Sequence, residues 1–399
     1  MMKGMGNMHN FEIIHDRRNS RSVKWDNLKA LYGAEDVLPM WVADMDFQSP
    51  QAVIEALKNR AEHGIYGYTI TDATVSKVVS DWVEKRHGWR VKPSWLLYSP
   101  GVVTSLHMAI QTFTEPGDQV VIQTPVYAPF YNVVKAHDRK LVENPLIAEN
   151  GTYRMDFRQL ESCFRAGAKA MILCNPHNPV GRVWTKEELG QLANLCQTYD
   201  VLLLSDEIHA DLIHEGHQHI PIACLSEDMS KRTITFLSPS KTFNLAGLQA
   251  SYAIVEQEDK RKQLQETFSK QGFHMLNTMA VAAMEAAYMD GEEWLKGLLD
   301  ILAVNKKLAE DALADNPLIQ LAPLEGTYLM WLDCRNMNLE QKELMDFFAK
   351  KAKLGFNDGI QFGEAGAGFV RMNIACPPET MRDALKRLMN SLKEFEAAI

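Results

Sequence analysis

The chain has 399 residues, more than one compact core usually holds, so a large domain and a smaller one are expected. Hydrophobic residues make up 46% and charged residues 23%, the balance of a soluble globular protein, and a net charge of −9 argues against nucleic acid as a partner. No apolar run reaches the roughly 18 residues of a membrane span, and residues 1–14 carry no signal-peptide core, so a cytoplasmic protein without a membrane partner is expected.

In chain order, WLLYS (95–99) is short and apolar, and Pro100-Gly101 turns the chain. TSLHMAIQTF (104–113) has helical spacing through Leu106, Ala109, Ile110 and Phe113. QVVIQ (119–123), AKAMILC (168–174), VLLLSDE (201–207), TITFLS (233–238) and SYAIV (251–255) read as buried strands. Thr185 with Glu188 three residues later is a capping box that opens a helix. Alternating strands and helices with apolar strands imply a mostly parallel sheet covered on both faces. Further on, 292–315 reads as a long amphipathic helix, 327–334 as a strand and 379–399 as a closing helix. The expected division is a large domain, 46–290, and a smaller α+β domain from 1–45 and 291–399. Six cysteines (Cys163, Cys174, Cys196, Cys224, Cys334, Cys376) form no CxxC pair and read as reduced thiols.

In open α/β sheets, ligands bind beyond the C-terminal strand ends. Five unusual clusters fall at such ends: YSPGVVTS, QTPVYAPF, CNPHNPVG, LSDEIHADL and LSPSKTFN. Gly101 bends the chain into a helix, so the N–H groups of Val102 and Val103 would cradle a phosphate. A simple βα turn is the plainer reading. Asp206 ends an apolar strand, and a buried carboxylate demands a cation or strong donor. A structural ion pair or a helix cap would also satisfy it. Lys241 would be a phosphate clamp, a reactive amine or a solvated charge. Desolvation and nearby cations would lower its pKa and make it a nucleophile. Tyr127 is placed to stack on a ring or to fill the core. Arg371, in GFVRMN, suits a substrate carboxylate or an ion pair. His214, His217 and His219 in HADLIHEGHQH read as a solvated loop, with His209 set apart; HExxH is missing, and no metal is expected. A phosphate cradle, an amine and a carboxylate facing a heterocyclic nitrogen together match pyridoxal 5′-phosphate.

NPHNPVG, SDEIHADL and SPSKTFNLAGL, in that order, resemble the fold-type I pyridoxal-phosphate-dependent aminotransferase superfamily. The resemblance implies that Lys241 forms a Schiff base with the cofactor and moves protons at the substrate Cα. Asp206 would pair with the ring nitrogen. Asn178 would bond the phenolic oxygen and lie near the substrate carboxylate, and Tyr127 would stack on the ring. Val102, Val103, Ser238 and Ser240 would hold the phosphate, and Arg371 would grip the substrate carboxylate. A homodimer is implied, with Tyr68 reaching the neighbouring subunit's phosphate.

MWVADMDF, YGYT, DEIHADL and SKTFNLAGL further resemble the cystathionine β-lyase and cysteine-S-conjugate β-lyase branch. Here His209 stands where many aminotransferases carry tyrosine, and Gln249 where many carry a phosphate-binding arginine. Trp41, Ala43, Tyr66 and Tyr68 would shape the substrate pocket. The implied reaction is β-elimination from a sulfur amino acid. Transamination to a 2-oxo acid on the same scaffold is the alternative.

Overall fold

The structure is a computed structural model that describes residues 11–149 and 151–398. Residues 1–10 of the expected small domain, and of the segment read for a signal peptide, lie outside the described residues.

Seven strands form the main sheet, in the spatial order Leu96–Ser99, Ser251–Ile254, Thr233–Leu237, Leu202–Asp206, Ala170–Cys174, Gln119–Thr124, Lys140–Pro145. The last five run parallel; Ser251–Ile254 alone is reversed against both of its neighbours. The sheet is therefore mixed but mostly parallel, as the apolar strands require. Alternation explains how one strand serves two layers. Val121, Met171, Leu173 and Leu203 pack on one face with Leu160, Leu189 and Leu192. Val120, Ile122, Ile172 and Leu204 pack on the other with Leu106, Ile110 and Phe130. Thr185 makes the expected reciprocal capping box with Glu188 at the start of the helix Lys186–Tyr199.

The second sheet has four antiparallel strands, ordered Gln320–Leu321, Leu329–Asp333, Phe369–Asn373, Asn357–Asp358. The helices Glu292–Leu313 and Pro378–Glu396 bury Leu298, Leu302, Leu385 and Leu388 in one core with Leu329, Leu332 and Val370. The edge strand Lys140–Pro145 and the helices Gln51–His63, Ala73–His87 and Thr278–Asp290 are absent from the sequence expectations. The edge strand reads as KLVENP, too polar and too close to a proline to stand out.

A strap, residues 41–47, runs between the two sheets and is tied from both sides. Asn373 donates to the carbonyls of Val42 and Asp44, each at 2.6 Å. Asn244 donates to those of Met45 and Phe47, at 3.0 and 2.9 Å, and accepts from Met45 N at 3.0 Å. Asp46 is buried and bonded to Lys24 and Arg17, each at 2.7 Å, and to Trp25 Nε1 at 2.8 Å. Burial pushes its carboxyl pKa up, but Lys24, Trp25 and Arg17 outweigh that and hold it below the ordinary range.

The histidine-rich segment departs from expectation. His214 and His219 are buried, not solvated. His214 Nε2 bonds the Thr327 carbonyl at 2.9 Å, and His219 Nε2 bonds Glu207 Oε2 at 2.8 Å. Each ring found a long-range partner that local sequence does not show. Of the six free thiols, five are buried and Cys224 is exposed.

Candidate active site

Lys241 lies in the short helix Pro239–Thr242, directly after the strand Thr233–Leu237. Ser238 caps that helix by accepting from Ser240 N at 3.0 Å, and Pro239 occupies the first helical position. The turn aims Lys241 Nζ at the strap, where it donates to the Ala43 carbonyl at 2.6 Å. Burial pushes the amine pKa down, Arg371 pushes it further, and Asp44 and Asp206 push back, leaving it at about 8. An ordinary lysine sits near 10.4. A sizeable neutral fraction thus exists near neutrality, which a nucleophilic amine needs.

Asp206 ends the strand Leu202–Asp206 and is buried. Its Oδ1 accepts from Ile208 N at 3.1 Å, and it forms no ion pair among the described residues. Burial raises its pKa to about 7, against the opposing pull of that N–H and of Lys241. A protonated ring nitrogen is the donor such a carboxylate lacks. Tyr127 backs the same space. Its phenol is pushed up by burial and then by Asp206, while Arg371 pulls it down, so both charges reach this one ring. Tyr127 N donates to the Asn178 carbonyl at 3.1 Å.

Arg371 comes from the other sheet, in the strand Phe369–Asn373. Its guanidinium donates to Asn178 Oδ1 at 2.9 Å, to the Trp41 carbonyl at 3.1 Å and to Asn357 Oδ1, and lies 4.8 Å from the Phe362 ring centroid. Nε has no partner, and no carboxylate pairs with Arg371 among the described residues. Burial lowers its pKa to about 10, so it remains charged at neutral pH. With Oδ1 taken by Arg371, the amide N–H₂ of Asn178 is left to donate to another acceptor.

The helix Val102–Phe113 begins after Gly101, and no side chain caps it. The N–H groups of Val102 and Val103 are thus available to an anion. Ser238 is partly committed, because its hydroxyl donates to the Ala250 carbonyl at 2.6 Å. Ser240 is half-buried at the same turn, and Gln249 is exposed. His209 is buried, with Nδ1 unpartnered and its ring edge-on to Tyr328 at 5.9 Å. Burial, then Lys241 and Arg371, hold it well below the ordinary histidine range, so it is neutral. Tyr66 and Tyr68 lie on an exposed segment; Tyr66 bonds the Ala61 carbonyl at 2.9 Å and Tyr68 is 97% exposed. This single chain does not bring them to Lys241.

Two residues escaped the sequence reading. Tyr328 is buried and donates to the Ala43 carbonyl at 2.9 Å, the acceptor that Lys241 also uses. Asn357 contacts Arg371. Neither lies in a motif; only the hydroxyl of a tyrosine in an otherwise apolar strand hinted at Tyr328. The residues present fit pyridoxal 5′-phosphate. An amine, a carboxylate without a cation and uncapped helix N–H groups match its aldehyde, ring nitrogen and phosphate.

The sequence model of the family "Aminotransferase class I and II" matches residues 35–388. The chain belongs to that family, and its mostly parallel sheet with a smaller second sheet is the fold-type I architecture. Within it, the chain is 44% identical to cystathionine β-lyase PatB of Bacillus subtilis (strain 168), over 96% of this chain and all of that protein. The crystal structure of cystalysin from Treponema denticola, which contains pyridoxal 5′-phosphate, is 36% identical with a TM-score of 0.94, covering 97% of this chain and 100% of that one. The pyridoxal-phosphate-bound C-S lyase of Staphylococcus hominis, complexed with L-cycloserine, is 33% identical with a TM-score of 0.91, covering 98% of this chain and 99% of that one.

Borohydride treatment of the cofactor-loaded protein is expected to fix the cofactor on Lys241 in a peptide map. Recombination of stripped protein with the aldehyde is expected to quicken as pH rises and to level above about 8, because only the neutral amine attacks. An adduct on another lysine, or a rate independent of pH, contradicts the assignment.

Proposed function

We propose that this protein is a pyridoxal-phosphate-dependent carbon–sulfur β-lyase. Its substrates are L-cystathionine, L-cysteine and related cysteine S-conjugates, which it cleaves with water to pyruvate, ammonia and a thiol, or hydrogen sulfide from cysteine. The observation that carries the reading is the meeting of groups from both sheets at one strap. Lys241 bonds the Ala43 carbonyl and Arg371 the Trp41 carbonyl, and Asp206 is near enough to act on the Lys241 charge. End-to-end similarity to proteins named cystathionine β-lyase and C-S lyase supports elimination over transamination. In this reading residues 46–290 form the cofactor-binding domain, and 1–45 with 291–399 the small one.

The cofactor, when bound, supplies an electron sink for the Cα–H bonding pair. The protein's part is to place charges and move one proton. Arg371 holds the substrate carboxylate by paired N–H donors. Asp206 would accept a hydrogen bond from the protonated ring nitrogen and so keep that proton on the ring; with that cation beside it, the carboxylate would be its favoured form. Lys241 Nζ takes the Cα proton as general base, and the Ala43 carbonyl fixes where the resulting ammonium rests. The Cβ–S bond then breaks with its electron pair on sulfur, and the thiolate leaves. Neutral His209 and the Tyr127 ring wall the cleft without adding charge to it.

The homodimer belongs to this proposal. Ile65, Tyr66, Tyr68 and Ile70 are 60–97% exposed on one segment, an apolar stretch that a second copy would cover. Tyr68 would then reach the partner's phosphate. A cytoplasmic setting is supported by the six free thiols.

Purified protein given L-cystathionine is expected to release pyruvate and thiol with no keto acid added. Product that appears only with 2-oxoglutarate would favour transamination and remove the lyase reading. Sedimentation is expected to show about twice the 45.2 kDa chain mass, and a monomer carrying full activity would exclude the shared site.

A further inference from the structure

Arg371 is surrounded by neutral oxygens: Asn178 Oδ1, the Trp41 carbonyl and Asn357 Oδ1. Asn357 enters from the edge strand Asn357–Asp358, directly opposite Arg371 in the ladder. Its amide is held in one orientation. Nδ2 donates to Gln361 Oε1 at 3.2 Å, so Oδ1 faces the guanidinium, which can only donate. The neighbouring Asp358 carboxylate points elsewhere, accepting from Gln341 Nε2 at 2.6 Å and from Ile360 N at 3.0 Å. The strand thus presents an amide to Arg371 and keeps its carboxylate away.

We propose that Asn357 determines specificity: it orients Arg371 with a neutral acceptor and so reserves the guanidinium charge for the carboxylate of the incoming amino acid. The inference rests on the reading of Arg371 as the carboxylate anchor. A carboxylate at position 357 would have nearly the same shape and would still accept from Nη2. It would also form an internal ion pair and compete with the substrate. An alanine there would only remove one tether, and Asn178 and Trp41 would still hold the guanidinium. The charge therefore matters more than the contact. Tyr32, Tyr127 and Tyr328, whose fields reach this site, are phenols that stay neutral near pH 7. Lys241 and His209 also feel Arg371, the first a cation below its pKa of about 8 and the second neutral, so neither offers the guanidinium a negative charge.

The test compares Asn357→Asp and Asn357→Ala in the cofactor-loaded enzyme. L-Alanine and ethylamine are titrated against the cofactor absorbance; they differ by the carboxylate, and neither has a leaving group. In Asn357→Asp the Kd for L-alanine is expected to rise about tenfold or more, with a smaller rise in Asn357→Ala and an ethylamine Kd within about twofold in both. With S-methyl-L-cysteine, KM is expected to rise more than kcat falls. Equal weakening of both amines, an unchanged L-alanine affinity, or a larger loss in Asn357→Ala than in Asn357→Asp overturns the proposal. If Asn357→Asp does not fold, Asn357→Glu takes its place, because it also sets a carboxylate beside Arg371. A selective loss of L-alanine affinity supports the proposal, and a loss shared with ethylamine overturns it. Failure of the wild type to form pyruvate would remove the lyase reading yet leave this result standing, because the titration needs no elimination.

Discussion

Asp206 and Arg371 carry opposite charges into one cleft, and neither finds a side chain of opposite charge to pair with among the described residues. An ion buried in this way costs several kcal/mol unless something compensates it. Each group moves toward neutrality in response: burial raises Asp206 and lowers Arg371 and Lys241. Asp46 shows the contrast within the same chain. It is as deeply buried, yet Lys24, Arg17 and Trp25 surround it, and its pKa falls. The fold can pair a buried carboxylate fully when the role is structural. At the cleft it leaves the pairing to a ligand.

That cleft exists because two sheets are tied through one strap. Asn244 follows Lys241 by three residues and fixes residues 45–47; Asn373 follows Arg371 by two and fixes 42–44. The elements that present the amine and the guanidinium therefore also anchor the backbone between them. The Ala43 carbonyl lies at the middle of this arrangement and accepts from Lys241 and Tyr328 together. Geometry at the reacting amine is thus set by backbone hydrogen bonds, which are less mobile than surface ion pairs.

Much of this was legible in the sequence because it is local. Strand ends were marked by apolar runs meeting Asp206, Asn178 or Lys241, and the capping box at Thr185 announced its helix. The cofactor followed from chemistry gathered at one sheet edge. What stayed hidden is long-range. Tyr328 meets Ala43 from 285 residues away, and His214 meets Thr327 from 113. A backbone carbonyl such as that of Ala43 has no sequence signature. Asn357 looks like any loop asparagine until the ladder places it opposite Arg371. Tyr66 and Tyr68 lie on an exposed segment of the single chain, and the role expected of Tyr68 would need a second copy.

The most direct test of the central claim is urea unfolding of stripped wild type and Asp206→Asn, each with and without pyridoxal phosphate. A group whose folded pKa is raised binds more protons when folded. Its presence therefore costs stability as pH climbs from about 4 to about 7, and the full cost persists above. At about pH 8 stripped Asp206→Asn should be more stable than stripped wild type, by a few kcal/mol at most. The gap should close near pH 4, and the variant should gain less from the cofactor. A stripped Asp206→Asn protein that is less stable than wild type at pH 8 would contradict the claim, because it would mean that this carboxylate already has its partner within the fold.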